Sequence, residues 1–107
     1  MNINKKENLR TLPALHSQSE NPDPVASARF FDSLSFWCWY AIEFDGNDTF
    51  FGLVCGFESE LGQFHLSEFA EINRDSGFDR IKLDDKFVPT PINKISKALK
   101  IDQIITD

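Results

Sequence analysis

The sequence predicts a small α+β domain, in which an antiparallel β-meander of three to five strands carries a short N-terminal helix and a C-terminal helix. The chain has 107 residues, which suits one domain over residues 1–107 with a core at about 9–100. Strand-forming residues flank an Asp-Gly turn in mid-chain, a strong hairpin signal. Near the end, Thr90 and Pro91 precede apolar residues at helical spacing, as at a helix start.

The elements follow in order along the chain. The N-terminal helix is predicted over residues 5–15, where three leucines share one side and Pro13 limits its length. A polar, proline-containing loop follows at 17–24. The strand-forming runs after it are residues 25–31, 36–44, 49–57, 63–69 and 80–88. A turn is predicted at 58–62, and a helical turn and a loop separate the last two runs.

The C-terminal helix is predicted to begin with Thr90 as its N-cap and Pro91 as its first residue. Ile92, Ile95 and Leu99 then lie on one face, which would be buried against the sheet. The tail that follows is predicted either to continue the helix or to extend.

The central hairpin has two faces, because side chains alternate along a strand. One face is almost wholly apolar and is predicted to lie in the core; it holds Phe36, Cys38, Tyr40, Ile42, Phe44, Phe51, Leu53, Cys55 and Phe57. The other face holds Trp37, Trp39, Ala41, Glu43, Asp45, Phe50, Gly52, Val54, Gly56 and Glu58. It forms either a smaller second core under a terminal helix or a partly open aromatic groove with an acidic rim. The tryptophan rings would lie over the bare glycine backbone.

Charge is spread unevenly along the chain. The net charge is −6, and residues 30–73 hold eight acids and no Lys or Arg. A nucleic-acid backbone requires a basic footprint, so the middle of the chain is unsuited to direct nucleic-acid binding. The acids indicate either an ordinary acidic surface or a patch for a basic partner.

Three sets of side chains are candidates for metal binding or nucleophilic catalysis. Glu43, Asp45 and Asp48 cluster at the hairpin turn and could hold Mg²⁺ or Ca²⁺, but turn geometry explains them more simply, and no metal or other cofactor is expected. Cys38 and Cys55 lie on the apolar face and are expected to be buried free thiols. Two of the three turn geometries considered place them directly opposite each other. A nucleophilic pair of Cys55 with His65 on the next strand is the alternative.

The chain shows no targeting signal. There is no run of 18 apolar residues, and the N-terminal MNINKKENLR is not followed by an apolar segment. With two cysteines, a cytoplasmic location with reduced thiols is expected and no membrane association.

Several motifs recur together in one known family. They are LPAL, DPV followed by ARFF, WCWYAIEFDGNDTFFGLVCGFESELGQFHLSE and IKLDDKFVPTPI. Over roughly residues 9–95 the chain resembles a bacterial family of small proteins catalogued as domain of unknown function twenty-nine fifty-eight. The resemblance implies a setting in plasmids, phages and integrated elements, where small acidic proteins often block host defence or DNA-processing proteins. It carries over no catalytic residues.

The leading prediction is a non-enzymatic protein-interaction module that binds a basic protein surface, with DNA mimicry as a variant. Its anchors would be Trp37, Trp39 and Phe50. Its steering carboxylates would be Glu43, Asp45, Asp48, Glu58 and Glu60. One alternative is an accessory nucleic-acid-binding protein that uses the basic C-terminal region, and a second is a metal-dependent hydrolase built on the turn carboxylates. An unpaired edge strand could also support a homodimer.

Overall fold

The computed structural model describes residues 9, 11–101 and 103–106 of the chain. Eight strands and two helices lie within them. The strands are β1 (Val25–Ala26), β2 (Ala28–Asp32), β3 (Cys38–Phe44), β4 (Thr49–Cys55), β5 (Ser59–His65), β6 (Ile81–Leu83), β7 (Thr90–Pro91) and β8 (Ile105–Thr106). The helices are α1 (Leu66–Ser76) and α2 (Ile92–Ala98).

Six of these strands form one sheet in the order β6-β2-β3-β4-β5-β8. Strands β2 to β5 are successive antiparallel neighbours. The two edge strands come from later in the chain. Strand β6 pairs with β2, and β8 pairs with β5 in parallel. Strands β1 and β7 form a separate two-stranded sheet.

The predicted fold class is therefore wrong. The described part of the chain is mainly β, with eight strands in two sheets, and not an α+β meander with terminal helices. The four central strands do run as a meander. The sequence did not reveal the two edge pairings or the second sheet, because strands of two or three residues carry too little periodicity to be recognised.

The N-terminal helix predicted over residues 5–15 is wrong for residues 11–15, which form turns and irregular backbone. Leu9 is helical, and residues 1–8 and 10 lie outside the described part. Pro13 disfavours helix in the residue before it. Its carbonyl oxygen instead accepts a hydrogen bond of 2.9 Å from the Phe44 N–H, so this segment crosses the end of β3.

Several boundaries differ from the prediction. Strand β5 begins at Ser59, inside the turn predicted at 58–62, and ends at His65, inside the run predicted at 63–69. Helix α1 then continues through residues predicted to be a loop. Thr90 and Pro91 form β7, so α2 begins at Ile92 and not at Pro91. Ile92 and Ile95 are buried as predicted, whereas Leu99 follows the helix and is exposed.

The sheet has a hydrophobic cluster on each face. One contains Phe30, Trp39, Phe44, Phe50 and Phe64 beneath Phe69 of α1 and the N-terminal Leu9 and Leu12. The other contains Cys38, Tyr40, Ile42 and Leu53 beneath Ile92 and Ile95 of α2. Both faces of the central hairpin are thus core, as the first of the two alternatives predicted, although the Trp39 face is covered by α1 and not by a terminal helix.

A β-bulge changes the predicted face of the two residues that follow it in β3. Ala41 pairs with Gly52, but Glu43 pairs with Phe51, so Ile42 is the extra residue. Beyond a bulge the alternation of side chains is offset by one. Phe44 therefore joins the cluster of Trp39 and Phe50 and stacks on Phe50 at a centroid distance of 4.3 Å.

Helix α1 is joined to the sheet by polar contacts at both ends. At its start, the Asp48 carboxylate accepts hydrogen bonds from the Ser67 N–H at 2.8 Å and the Ser67 hydroxyl at 2.9 Å, which satisfies a free helix N–H. Near its end, the buried Asn73 side chain exchanges two hydrogen bonds with the Ile81 backbone of β6. Among the described helices, neither is long and apolar enough to cross a membrane.

Candidate functional site

The residues predicted to bind a partner are divided between the two ends of the central hairpin. Asp45 and Asp48 lie at the β3–β4 turn, whereas Trp37, Glu58 and Glu60 lie near the opposite end. Strands of seven residues separate these ends, a distance of roughly 20 Å at 3.3 Å per residue. The eight predicted residues therefore do not form one surface.

Three of the predicted residues are buried. Trp39 contacts Phe69 at a centroid distance of 4.8 Å, and Phe50 lies between Phe44 and Phe64. Glu43 is only 3% exposed. These side chains lie in the interior and offer no surface to a partner. The prediction that Trp39 and Phe50 are anchors and that Glu43 is a steering carboxylate is therefore wrong.

Glu43 has a structural partner on the N-terminal segment. Its two carboxylate oxygens accept hydrogen bonds of 2.8 Å from the N–H groups of His16 and Gln18. His16 has a positive φ of 68°, which is uncommon outside glycine. The buried carboxylate thus holds residues 16–18 in an unusual conformation.

The two turn carboxylates also serve the backbone. Asp45 accepts hydrogen bonds from the N–H groups of Asn47, Asp48 and Thr49 at 2.8–3.0 Å, and these bonds lower the pKa of its carboxyl. Asp48 caps α1 through Ser67. Glu43, Asp45 and Asp48 therefore each stabilise a different part of the backbone. Among the residues that the structure describes, no three His, Cys, Asp or Glu side chains are grouped as metal ligands.

The opposite end of the hairpin carries exposed aromatic side chains. Phe57 is 87% exposed and Phe36 is 64% exposed. Their rings touch at a centroid distance of 5.7 Å, and Trp37 contacts Phe57 at 5.8 Å. Leu34, in the same β2–β3 turn as Phe36, is 64% exposed. Leu34, Phe36, Trp37 and Phe57 are called the aromatic patch below.

The sequence assigned Phe36 and Phe57 to the core because it continued both strands too far. Strand β3 begins at Cys38 and β4 ends at Cys55, so the alternation does not apply to residues beyond them. The polar residues of the two turns, Ser33, Ser35 and Glu58, were the signal for these ends. Trp37 does cover Gly56, as predicted, because a Cβ at that position would overlap the indole ring.

Acidic side chains and a cavity lie beside the aromatic patch. Glu58 is exposed and Glu60 half-exposed. A cavity of about 400 Å³ opens between the β4–β5 turn and the C-terminal segment, lined by Phe57, Glu58, Ser59, Lys100, Ile101, Gln103 and Ile105. Such a concave space next to exposed rings can receive a partner side chain.

On the other sheet face, Cys38 and Cys55 are direct cross-strand partners and both are free thiols. Two of the three predicted turn geometries placed them opposite each other, but the observed turn is neither of these. Phe44 pairs with Phe50, and the bulge at Ile42 brings the cysteines into opposition. The hydrogen bond from the Cys55 thiol, together with the nearby Arg29 charge, lowers the pKa of Cys38 to about 6. The same interaction raises the pKa of Cys55. His65 pairs with Thr49 and not with Cys55, so the Cys55–His65 alternative is wrong.

The basic residues of the nucleic-acid alternative are only partly available. Arg80 donates two hydrogen bonds, of 2.9 and 3.0 Å, to the Asp32 carboxylate. Arg74 pairs with the neighbouring Asp75. Lys94, Lys97 and Lys100 are exposed on and after α2. Because both arginines are paired with acids, the basic surface formed by these five residues is smaller than the sequence indicated.

Comparison with known proteins adds one match. The model of a family described as Protein of unknown function (DUF2958) matches residues 2–104. No curated protein and no solved structure matches the chain.

Proposed function

We propose that this chain, which belongs to the family described as Protein of unknown function (DUF2958), is a non-enzymatic protein-interaction module. The family membership bears out the resemblance found in the motifs and leaves the activity open. The proposal is that the aromatic patch, and not the buried Trp39 face, binds the partner. The observation that carries it is the contact among Phe36, Trp37 and Phe57 at the surface, with Phe57 87% exposed.

Exposed aromatic clusters are costly to leave in water, and each buried ring contributes about 2 kcal/mol or more. Large exposed apolar patches on soluble proteins mark interaction sites, and aromatic side chains dominate the energetics of interfaces. Phe57 lies at the tip of the short β4–β5 turn, where few neighbours can cover it. A partner that covers these rings would gain binding free energy with little rearrangement of this chain.

The proposed partner is a basic protein surface. Glu58 and Glu60 lie next to the patch, and the nearest stretch of chain, residues 30–73, has no Lys or Arg. These two carboxylates would attract a basic partner and orient it on the rings. DNA mimicry has less support, because Glu43 is buried and Asp45 and Asp48 already accept backbone hydrogen bonds.

More specifically, the proposed partner is a host defence or DNA-processing protein, which this chain would block. This part of the proposal rests on the mobile-element setting that the family resemblance implies. The partner's identity would decide it.

A quantitative pull-down from host cells tests the proposal. Wild type is compared with a Phe36→Ser/Phe57→Ser variant and a Glu58→Lys/Glu60→Lys variant, and bound proteins are measured by mass spectrometry. Asp45→Asn at the far turn is the matched control. We expect one basic protein to be retained by wild type and the control and lost from both patch variants. The purified partner should bind less tightly as salt is raised.

If wild type and the patch variants retain the same proteins, the patch is not the binding surface. A Glu43 variant would not serve here, because loss of its buried hydrogen bonds would disturb the fold and obscure the result.

A further inference from the structure

We propose that Cys38 and Cys55 form a redox-active dithiol, at which a hydroperoxide closes a reversible disulfide between β3 and β4. This inference is independent of partner binding. The two residues are direct partners in the antiparallel ladder and belong to the same hydrophobic cluster. Their side chains therefore lie side by side on one face of the sheet.

The ladder geometry allows the bond. Directly opposed residues in antiparallel strands have Cα atoms about 4.5–5.5 Å apart, within the roughly 4.4–6.8 Å that disulfides span. Their Cβ atoms are usually about 4.5–5.5 Å apart, slightly more than the roughly 3.5–4.5 Å of a disulfide. The bond would therefore form with a small inward movement, and a bond formed in this way is easily reduced.

The surroundings of the pair favour one negative charge. Arg29 lies beside it and donates to the Tyr40 hydroxyl at 3.4 Å and to Asp84 at 3.3 Å. Arg29 and the Cys55 thiol both stabilise the thiolate of Cys38. Thiolates, and not thiols, react with peroxides. The pair thus combines a thiolate with a resolving thiol.

The other side chains around the pair are identified by register and packing. Phe31, opposite Cys38, separates it from Lys82 on β6, and Ser59 lies opposite Cys55 on β5. The elements above this face contribute apolar groups, which are Ile92, Ile95, Ile101, Ile104 and Phe87. Arg29 is the cation that acts on the Cys38 thiol, Asp84 is already paired with it, and Lys100 lines the cavity beside Ser59.

A small oxidant has a route to the sulfurs. Cys55 is half-exposed, and the cavity of about 400 Å³ is lined by Ser59, its cross-strand partner, and by Phe57 two residues further along the chain. The two cysteines do not line this cavity themselves, so a hydroperoxide would reach the buried Cys38 past the half-exposed Cys55. The attacking thiolate is that of Cys38, because its pKa is lowered while the pKa of Cys55 is raised.

The reaction balances with hydrogen peroxide as the oxidant. The thiolate attacks one peroxide oxygen; an S–O bond forms, the O–O bond breaks, and hydroxide leaves and takes a proton from solvent. The resulting sulfenic acid is attacked by the second cysteine, so that the S–S bond forms and the S–OH oxygen leaves as water with the thiol proton. The two cysteines lose two electrons, and the peroxide becomes two molecules of water.

Intact mass spectrometry of the full chain tests the proposal. The native protein is treated with equimolar hydrogen peroxide, and its thiols are counted after denaturation. We expect a loss of two hydrogen masses, disappearance of both thiols together, and full recovery with a dithiol reductant. Peptide mapping should place the bond between residues 38 and 55 within one molecule. A protein that keeps both thiols, gains oxygen only, or forms intermolecular dimers would overturn the inference.

Three variants sharpen this result. Cys55→Ser should leave Cys38 able to gain oxygen but unable to form the internal bond. Arg29→Met keeps an unbranched stem and removes the charge, and should slow peroxide oxidation at pH 7 several-fold. Lys82→Met is its matched control and should react as wild type does. Equal rates in Arg29→Met and wild type would show that the thiolate is not stabilised as proposed.

Discussion

The carboxylate of Glu43 accepts a hydrogen bond of 2.8 Å from the backbone N–H of His16, 27 residues earlier in the chain. Glu43 follows the β-bulge at Ile42. The bulge and the carboxylate together fasten the N-terminal segment to the sheet, because the Phe44 N–H also bonds the Pro13 carbonyl. Glu43, which the sequence assigned to an acidic surface, is therefore a buried residue that links the N-terminal segment to β3.

Glu43→Gln should destabilise the protein. The amide keeps one acceptor, but its NH₂ group then faces a backbone N–H of residue 16 or 18, so this part-buried pair loses one hydrogen bond. We expect the free energy of unfolding to fall by about 1–3 kcal/mol, measured by urea denaturation, with faster amide exchange at residues 16–18. The exposed Glu58→Gln is the control and should change stability by no more than about 0.5 kcal/mol. Equal stability of the two variants would contradict the structural role of Glu43.

Gly52→Ala and Gly62→Ala should differ sharply, although the two glycines are partners in the β4–β5 ladder. A Cβ at Gly52 would overlap the Tyr40 carbonyl oxygen, whereas one at Gly62 has Glu60 Oε1 at 4.0 Å as its nearest neighbour. We expect Gly52→Ala to cost about 1–3 kcal/mol or more through overpacking. Gly62→Ala should be neutral or stabilising by up to about 1 kcal/mol. Thermal unfolding of both variants checks the difference, and similar midpoints would contradict it.

Gly56→Ala should displace the Trp37 ring. The added methyl group would occupy the space that the indole now fills, and a half-exposed ring can move outward. We expect a stability loss of about 1 kcal/mol, a change in near-ultraviolet circular dichroism and a more water-exposed tryptophan emission. Trp39 is buried against Phe69, so its contribution should stay constant. Unchanged spectra would mean that Trp37 does not lie over the glycine.

Phe57→Ser should leave stability almost unchanged, while Phe50→Ala should lower it severely. Phe57 is 87% exposed and Phe50 is fully buried. Removing a buried phenyl ring costs about 3–5 kcal/mol, whereas an exposed substitution usually stays within about 0.5 kcal/mol. Urea denaturation of the two variants separates surface aromatic residues from core ones. A large loss in Phe57→Ser would show that the patch supports the fold.

Acid should weaken the protein partly through Asp32. The hydrogen bond from Arg80, with further bonds from Leu34 and Ser35, holds the pKa of Asp32 below its ordinary value of 3.8. Because the folded state keeps this carboxyl ionised, its stabilisation is fully present above that value and is lost as pH falls through the lower folded-state pKa. Asp32→Asn should lower stability at pH 7 by about 1–3 kcal/mol and flatten the decline below pH 4.

Urea midpoints from pH 7 to pH 2 measure this effect. Asp75→Asn is the control, since its carboxylate is 68% exposed and should contribute little at any pH. An Asp32→Asn variant whose acid profile parallels that of wild type would contradict the assignment.

Local patterns in the sequence were sufficient to predict the central hairpin. The Asp45-Gly46 turn, the alternation around Tyr40 and Leu53, and the buried Ile92 and Ile95 all follow from interactions within a few residues. The opposition of Cys38 and Cys55 was one of the predicted alternatives, but it depends on the bulge at Ile42, which the turn sequence did not reveal. Family membership followed from specific motifs in combination.

Long-range packing decided the rest. Whether Glu43 reaches solvent depends on residues 16–18, and whether Trp39 is open depends on α1 and Phe69. Exposure of Phe36 and Phe57 depends on where the pairing of β3 with β4 stops. The two edge strands of the sheet, β6 and β8, come from distant parts of the chain. The sequence by itself determined the strands of the hairpin and the acidic, aromatic character of its middle. Only the tertiary structure decided which of those side chains face water, because burial depends on what packs against a face and not on the alternation that creates it.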